Sequence, residues 1–324
     1  MKPIKKTCCP AVFAGLLLMS VSAASYAAPG CSASAHLQRL SCEFDLRDDF
    51  FTTSAHCLDE SNPVPACFDD ADSEFDDGLD ECNEVLSARL DLCESLGDAT
   101  HDPLFGPDFA TNFVDPLEIG NSIAPNPWFP LVVGNNWLYE GGDETIDVTV
   151  TGDTKLIDGV TCIVVIDIVT EDETVIEITN DWYAQDVDGN VWYCGEIAEN
   201  FEEFDGDNTD GPELVDIDGS WKAGRDRAEP GVLLPLAPQV GDVIRQEVLQ
   251  SDAEDVIEIL AIDASESSPG AACAGTCLMT ADFTPLEPGG LEHKFYAPGI
   301  GMIVETKPDT GERVELITFT GVGQ

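Results

Sequence analysis

Positive charge is scarce in this 324-residue chain: 14 Lys and Arg stand against 63 Asp and Glu, a formal net charge of −49. The shortage excludes ordinary nucleic-acid binding, because the phosphate backbone dominates that affinity and would repel such a surface. It disfavours anionic membrane surfaces for the same reason. Histidine is also rare, with only His36, His56, His101 and His293, and no H-E-x-x-H, C-x-x-C or G-x-S-x-G pattern occurs. The signatures of zinc hydrolases, thiol redox proteins and serine hydrolases are therefore missing. Beyond residue 27 no apolar run approaches the roughly 18 residues of a membrane-crossing helix, so no transmembrane segment is expected after signal removal.

What is present begins with Lys2, Lys5 and Lys6, an apolar run over 11–19, and the small-residue stretch Ser25-Tyr26-Ala27. That is the layout of a signal peptide over 1–27, which implies a periplasmic or extracellular protein. Its removal takes three lysines and leaves 11 basic residues against the same 63 acids. The acidity reads as self-repulsion that keeps the chain soluble in a salty medium, a halophilic adaptation, or else as diffuse cation binding.

Ten cysteines follow residue 27, an even number, which in an exported chain points to disulfides. The first six, Cys31, Cys42, Cys57, Cys67, Cys82 and Cys93, form a palindrome in which 31 with 93, 42 with 82 and 57 with 67 each sum to 124. Two antiparallel helices folded about residue 62 and stitched by three nested bridges require this spacing. Separations of 11 and 15 residues are near whole helical turns, which puts the three cysteines of each helix on one face. Leu37, Leu40, Phe44, Phe51 and Ala55 recur at helical period, as do Phe68, Ala71, Phe75, Leu79, Val85, Leu86 and Leu90. Ser32 or Ser34 is the expected N-cap of the first helix, and Pro63 and Pro65 break the chain between the two. The hairpin is expected over 28–97. A two-helix unit has little core, and covalent links supply what it lacks.

Residues 98–127 are proline-rich, without helical or strand period, and Phe105, Phe109, Phe113 and Leu117 make them too apolar for a free tether. They read as a linker docked on its neighbour. From 128 to 324 alternating β-branched segments separated by turn pairs predict an antiparallel all-β domain, a barrel or a sandwich of about ten strands. The fold class is thus α+β. Asp188-Gly189 reads as a hairpin turn and Glu171-Asp172 as a weaker one. With turns so placed, Cys162 faces Asp181 and Cys194 faces Tyr183 from opposite sides of one strand, about 9.6 Å apart in a flat sheet. A disulfide spans Cα atoms only about 4.4 to 6.8 Å apart, so this pairing needs strong curvature or a displaced turn. A local bridge between Cys273 and Cys277 is feasible and leaves 162 with 194 by elimination; the crossed pairings stay open.

The stretch Asn126-Pro127-Trp128-Phe129-Pro130-Leu131-Val132-Val133-Gly134-Asn135-Asn136-Trp137-Leu138-Tyr139-Glu140-Gly141 resembles an uncharacterised family of exported bacterial proteins. Asp181-Trp182-Tyr183-Ala184-Gln185-Asp186, Asn190-Val191-Trp192-Tyr193 and Glu292-His293-Lys294-Phe295-Tyr296-Ala297-Pro298-Gly299-Ile300-Gly301 resemble the same family. The resemblance implies an extracytoplasmic β-rich domain and carries over no activity, cofactor or catalytic residue.

Candidate chemistry is sparse. His293, between Glu292 and Lys294, is the one histidine placed to act as a general base or ligand. Asp205, Asp207, Asn208 and Asp210 put hard oxygen donors in one loop, as calcium prefers, though the spacing departs from an EF-hand. No other cofactor is indicated. Lys222, Arg225, Arg227 and Arg245 fall within 24 positions beside Trp221, a local inversion of charge suited to a carboxylate, a phosphate or a partner's acidic edge. Trp128, Trp137, Trp182, Tyr183, Trp192 and Tyr193 either fill the core or line a cavity. The expected role is a non-enzymatic surface, envelope or extracellular interaction module with a protein or polysaccharide partner. A carrier of a small apolar or lipid ligand is the alternative, and a hydrolase the third.

Overall fold

The computed structural model describes residues 30–59, 65–103, 106, 109–204, 206 and 211–322. The expected signal peptide, the turn about residue 62, Phe105 and the calcium candidates Asp205, Asp207, Asn208 and Asp210 lie outside the described residues.

Two helices, α1 (Cys31–Asp59) and α2 (Pro65–Ser95), form the hairpin. Bridges Cys31–Cys93, Cys42–Cys82 and Cys57–Cys67 hold them together, with Cα–Cα distances of 5.4, 6.0 and 5.9 Å. Proline opens α2, where its missing N–H is no loss and its fixed φ suits the helix. The cap of α1 is not a local serine. Asp98, beyond the far end of α2, accepts the Ser32 N–H at 2.7 Å, and its own N–H donates to the Cys93 carbonyl. One residue thus ties the start of α1 to the end of α2, and the two hydrogen bonds from Ser32 hold its carboxyl below the ordinary range.

The β domain begins with β1 (Asn136–Gly141), β2 (Glu144–Ile157), β3 (Val160–Glu171), β4 (Thr174–Gln185) and β5 (Val191–Glu202). Short strands β6 (Glu213–Asp216), β7 (Trp221–Lys222), β8 (Glu229–Leu234), β9 (Val243–Arg245) and β10 (Glu247–Val248) follow. The last five are β11 (Val256–Ser267), β12 (Ala272–Phe283), β13 (Glu292–Ala297), β14 (Gly301–Thr306) and β15 (Arg313–Thr320). Thirteen of them run in the order β10-β8-β5-β4-β3-β2-β1-β15-β14-β13-β12-β11-β9, all antiparallel, as a nearly closed barrel. The two ends of that order are neighbours in sequence. β9 pairs with β11, and after Gln246 the same segment continues as β10 and pairs with β8. One extended stretch therefore sews both edges of the sheet, and closure removes the open edges that invite aggregation. Gly231 lies at this seam, where a Cβ would stand 2.3 Å from the Arg245 carbonyl oxygen.

The barrel therefore replaces the open choice between barrel and sandwich, with more strands than about ten. β6 and β8 escaped sequence reading because they are short, and Pro230 and Gly231 suppress the strand pattern of β8. The extended stretch over 243–248 divides at Gln246 because it changes partners.

The bridge Cys162–Cys194 forms with Cα atoms 6.8 Å apart, and Cys273–Cys277 closes locally at 5.4 Å. The flat-sheet objection to the first fails for two reasons. The turn between β3 and β4 sits at Asp172-Glu173, both with positive φ, and a bulge follows at Val169/Thr170, so Asp181 faces Val165 rather than Cys162. A second bulge at Trp182/Tyr183 leaves Cys194 as the extra residue of β5. Bulges increase local bend and twist. Gly195, at φ 123° with a prospective Cβ 2.4 Å from the Trp221 carbonyl oxygen, lets β7 approach there. Five bridges in one chain place it in an oxidising, non-cytoplasmic compartment.

The linker docks as its composition demands. Phe109 and Phe113 meet the Trp192 ring at 5.7 and 6.0 Å, and the Val114 N–H donates to the Gln185 carbonyl. Leu117, expected to join them, is exposed. Among the described residues no helix is long and apolar enough to cross a membrane.

Candidate functional site

Three places bring functional groups together: the polar lining of the barrel, the junction of hairpin and barrel, and the outward face of α1.

Inside the barrel the stretch 126–141 is structural. Leu131 and Trp137 are fully buried, and the Trp137 Nε1–H donates to the Ile300 carbonyl at 2.6 Å. Asn126, also fully buried, donates its amide to the Gly189 and Leu234 carbonyls and its N–H to Gln185 Oε1. Phe129 packs against Trp137 and Tyr183, and Tyr183 stacks on Tyr193 at 4.6 Å. The aromatics fill space against one another.

Carboxyl groups sit beside them. The Tyr193 hydroxyl donates to Asp181 and lies 2.5 Å from Glu196 Oε2. The Trp221 Nε1–H donates to Glu247 at 3.1 Å. Burial raises Asp181 to about 6, Glu247 to about 8 and Asp167 to about 8. Burial, then the nearby Glu247 and Asp181, raise Glu196 to about 10. Glu196, Glu247 and Asp167 are thus mainly neutral at pH 7 and able to donate hydrogen bonds, whereas Asp181 stays mainly ionised. Where β5, β8, β12 and β13 meet the β9–β10 segment, a cleft of 430 Å³ is lined by Glu196, Glu247, Asp255, Asp282, Lys294 and Tyr296 among others. Lys294 approaches Asp282, Glu305 and Glu292 at 3.3, 3.5 and 3.6 Å. Burial alone would lower its pKa, but these acids outweigh that and hold it well above the ordinary range. No set of three metal-ligating side chains with metal-site geometry occurs among the described residues.

At the junction, Arg89 of α2 makes a bidentate pair with Glu254, with N–O distances of 2.9 and 2.6 Å, and both side chains are largely buried. Arg245 donates to Cys31 Sγ at 2.9 Å. His101 Nε2 donates to the Pro230 carbonyl at 2.9 Å, and burial holds its pKa below the usual value. These groups line a 160 Å³ cavity.

The outward face of α1 carries Leu37, Leu40, Phe44, Phe51 and Leu58, exposed by 68, 48, 69, 67 and 68%. At 100° per residue they fall within an arc of about 60°, roughly 170° around the helix from the cysteine face. The stripe expected to line the hairpin is therefore divided. Cysteines, Ala35 and Phe50 face α2, the last against Phe75, while Leu37, Leu40, Phe44, Phe51 and Leu58 face solvent.

The sequence-derived candidates scatter. His293 pairs across the sheet with Ala281 and Thr306. Alternation along the strand turns it to the face opposite Lys294, away from the cleft. Trp221 points inward to Glu247 and Arg245 reaches the hairpin, so the expected basic set does not act as one group. Lys222 remains outside with Arg225 and gains Lys155 of β2, which the sequence reading missed: its ammonium lies 3.4 Å over the Trp182 ring, and that of Lys222 at 5.9 Å. Only the register of β2 on β3, which sets Lys155 opposite Cys162, places it there. The Asp186-Val-Asp188-Gly189-Asn190 stretch is a turn whose Asp186 carboxylate accepts from Asp188 N–H, Asn190 N–H and Trp192 Nε1–H. Compared with family models, curated proteins and solved structures, the chain matches none.

Proposed function

We propose that the chain is an exported, non-enzymatic interaction module of the periplasm or cell exterior that associates through the outward face of α1 with the same face of a second copy. The single observation that carries this reading is the row of exposed large apolar residues on a cystine-stapled helix. Scattered exposed leucines are ordinary, but five on one arc of a rigid helix are not. Leu37, Phe44, Phe51 and Leu58 recur every seven residues, the spacing of a helix–helix seam. Their positions are symmetric about the midpoint between Arg47 and Asp48. An antiparallel pair of α1 helices related by a two-fold axis therefore sets Leu37 against Leu58, Leu40 against Ala55 and Phe44 against Phe51. A two-fold interface demands this self-complementarity. The five side chains offer on the order of 600 Å² of apolar surface per copy, close to the about 800 Å² per partner of a stable complex. The bridges hold both helices in place, which limits the ordering cost of association.

The excess of acid opposes association at low salt, and screening removes that opposition. The carrier alternative has less support, because the cleft is lined by carboxylates and a lysine. The hydrolase reading has less still, with His293 on the strand face opposite that cleft.

Sedimentation equilibrium of residues 28–324 tests the proposal. A dimer that tightens as NaCl rises from 0.05 to ~1 M is expected, and Phe44→Asp with Phe51→Asp should give a monomer with unchanged helical circular dichroism. Spin labels on unnatural side chains fix the geometry. Labels at 44 should lie about 10 Å apart along the axis and labels at 37 about 30 Å, from 1.5 Å rise per residue. A monomer at every salt concentration, or a dimer that survives both aspartates, overturns the reading.

A further inference from the structure

Eleven basic residues follow the expected signal peptide. Six of them, Arg39, Arg47, Arg89, Lys294, Lys307 and Arg313, make ion pairs. The other five, Lys155, Lys222, Arg225, Arg227 and Arg245, have no carboxylate within 4.0 Å among the described residues. Arg245 is accounted for at the junction, where it donates to Cys31 Sγ. The rest belong to one stretch of the barrel exterior.

In a chain with 63 acids, unpaired cations gathered in one place call for a cause. Lys155 is pinned over Trp182 at 3.4 Å, and Lys222 approaches the same ring at 5.9 Å. Arg225 heads the turn that follows β7, its N–H donating to the Lys222 carbonyl. The support beneath them is rigid: Lys155 stands opposite Cys162 and Lys222 opposite Gly195, next to the Cys162–Cys194 bridge. Trp182 is itself buried, so it serves as a floor that fixes the cations rather than as a surface for a ligand to stack on. Cation–π contact fixes the lysines' position without neutralising their charge. The three cations also repel, and burial followed by Lys222 and Arg225 lowers the pKa of Lys155. An anion between them would relieve that repulsion. Lysine supplies point charge and arginine a planar fork for two oxygens.

We propose that the barrel exterior over Trp182 is a binding site for an oxyanion group, a carboxylate, sulfate or phosphate, held between Lys155, Lys222 and Arg225. The site lies on the β domain, apart from the α1 face, and does not depend on self-association.

Titration of the ¹⁵N-labelled chain with sodium acetate, sulfate or phosphate, at ionic strength held constant with NaCl, tests it through the indole N–H signals. A saturable shift of the Trp182 signal is expected, half complete in the range of about 1 to 10 mM, a weak site by the usual affinity scale. The signals of Trp137 and Trp221, bonded to the Ile300 carbonyl and to Glu247, should stay in place and report an intact fold. Lys155→Met with Lys222→Met should abolish the Trp182 shift, and Arg225→Lys should weaken it several-fold. Saturation by acetate alone assigns a carboxylate ligand, and by sulfate or phosphate a tetrahedral one. A Trp182 signal that moves with none of the three, moves together with every other indole, or moves equally in the double variant overturns the proposal.

Discussion

The hairpin and the barrel solve the same problem in opposite ways. The hairpin buries cysteines, Ala35, Ala71, Val85 and Leu92 and leaves Leu37, Leu40, Phe44, Phe51 and Leu58 of α1 in water, so covalent bonds hold it. The barrel buries Trp137, Leu131, Ile303 and Leu316 and has so much interior that it can also enclose carboxylic acids. The comparison teaches that burial and cross-linking are interchangeable sources of order. It also shows that an apolar residue left out of a stapled unit is free for another use.

Removal of the hairpin bridges alone should separate the two regions most sharply. Replacing Cys31, Cys42, Cys57, Cys67, Cys82 and Cys93 by serine removes about 2 to 4 kcal/mol per bridge, and the helical signal at 222 nm should collapse while Cys162–Cys194 and Cys273–Cys277 stay in place. Tryptophan fluorescence of the barrel should then change little; simultaneous loss of both signals would show that the barrel leans on the hairpin. Next in size, Trp137→Ala should destabilise the barrel by about 3 to 5 kcal/mol in urea unfolding. Phe44→Ala on α1 should stay within about 0.5 kcal/mol for the monomer. Equal costs would mean that the α1 face is covered. Arg89→Ala leaves Glu254 largely buried without its partner and should cost about 3 kcal/mol. Amide exchange should quicken at both α2 and the loop around residue 254 if the pair joins the two regions.

The two regions also differ in pH response. Glu196, Glu247, Asp167 and Asp181 have folded pKa values raised to about 10, 8, 8 and 6, mainly by burial. The folded barrel then holds protons that the unfolded chain releases above about pH 4. Their stabilisation is full below that point and is lost as pH climbs through the folded values. The hairpin runs the other way. Arg47 and Arg39 hold Glu43 low, and Ser32 holds Asp98 low, so their stabilisation is present above about pH 4 and lost in acid. Separate melting curves for helix and barrel between pH 3 and 9 would diverge, and Glu196→Gln should flatten the barrel's curve. Parallel curves would refute the contrast.

The cysteine palindrome made the hairpin legible from sequence, because helical rise converts positions into facing pairs. Alternation made the β domain legible for a related reason: period two is local. Lys155 and Lys222 could not be joined in that way, since 67 positions separate them and only the registers of β2 on β3 and β7 on β5 bring them over one indole. The pairing of Cys162 with Cys194 depended on bulges that no local pattern announces. The exposure of Leu37, Leu40, Phe44, Phe51 and Leu58 was likewise hidden, because helical period gives a shared face without saying which face meets a neighbour.

The sequence by itself determined what is local: the helices and their cross-links, the strand-rich second domain and the excess of negative charge. Tertiary structure decided what depends on register and closure. It set the switch of one segment at Gln246 between two edges of the barrel, the neutral acids within, and the cations outside that lack an ion-pair partner among the described residues. The physical reason is range: backbone propensity and residue spacing act over a few residues. Burial and Coulomb energy depend on neighbours that the chain brings together only when it folds.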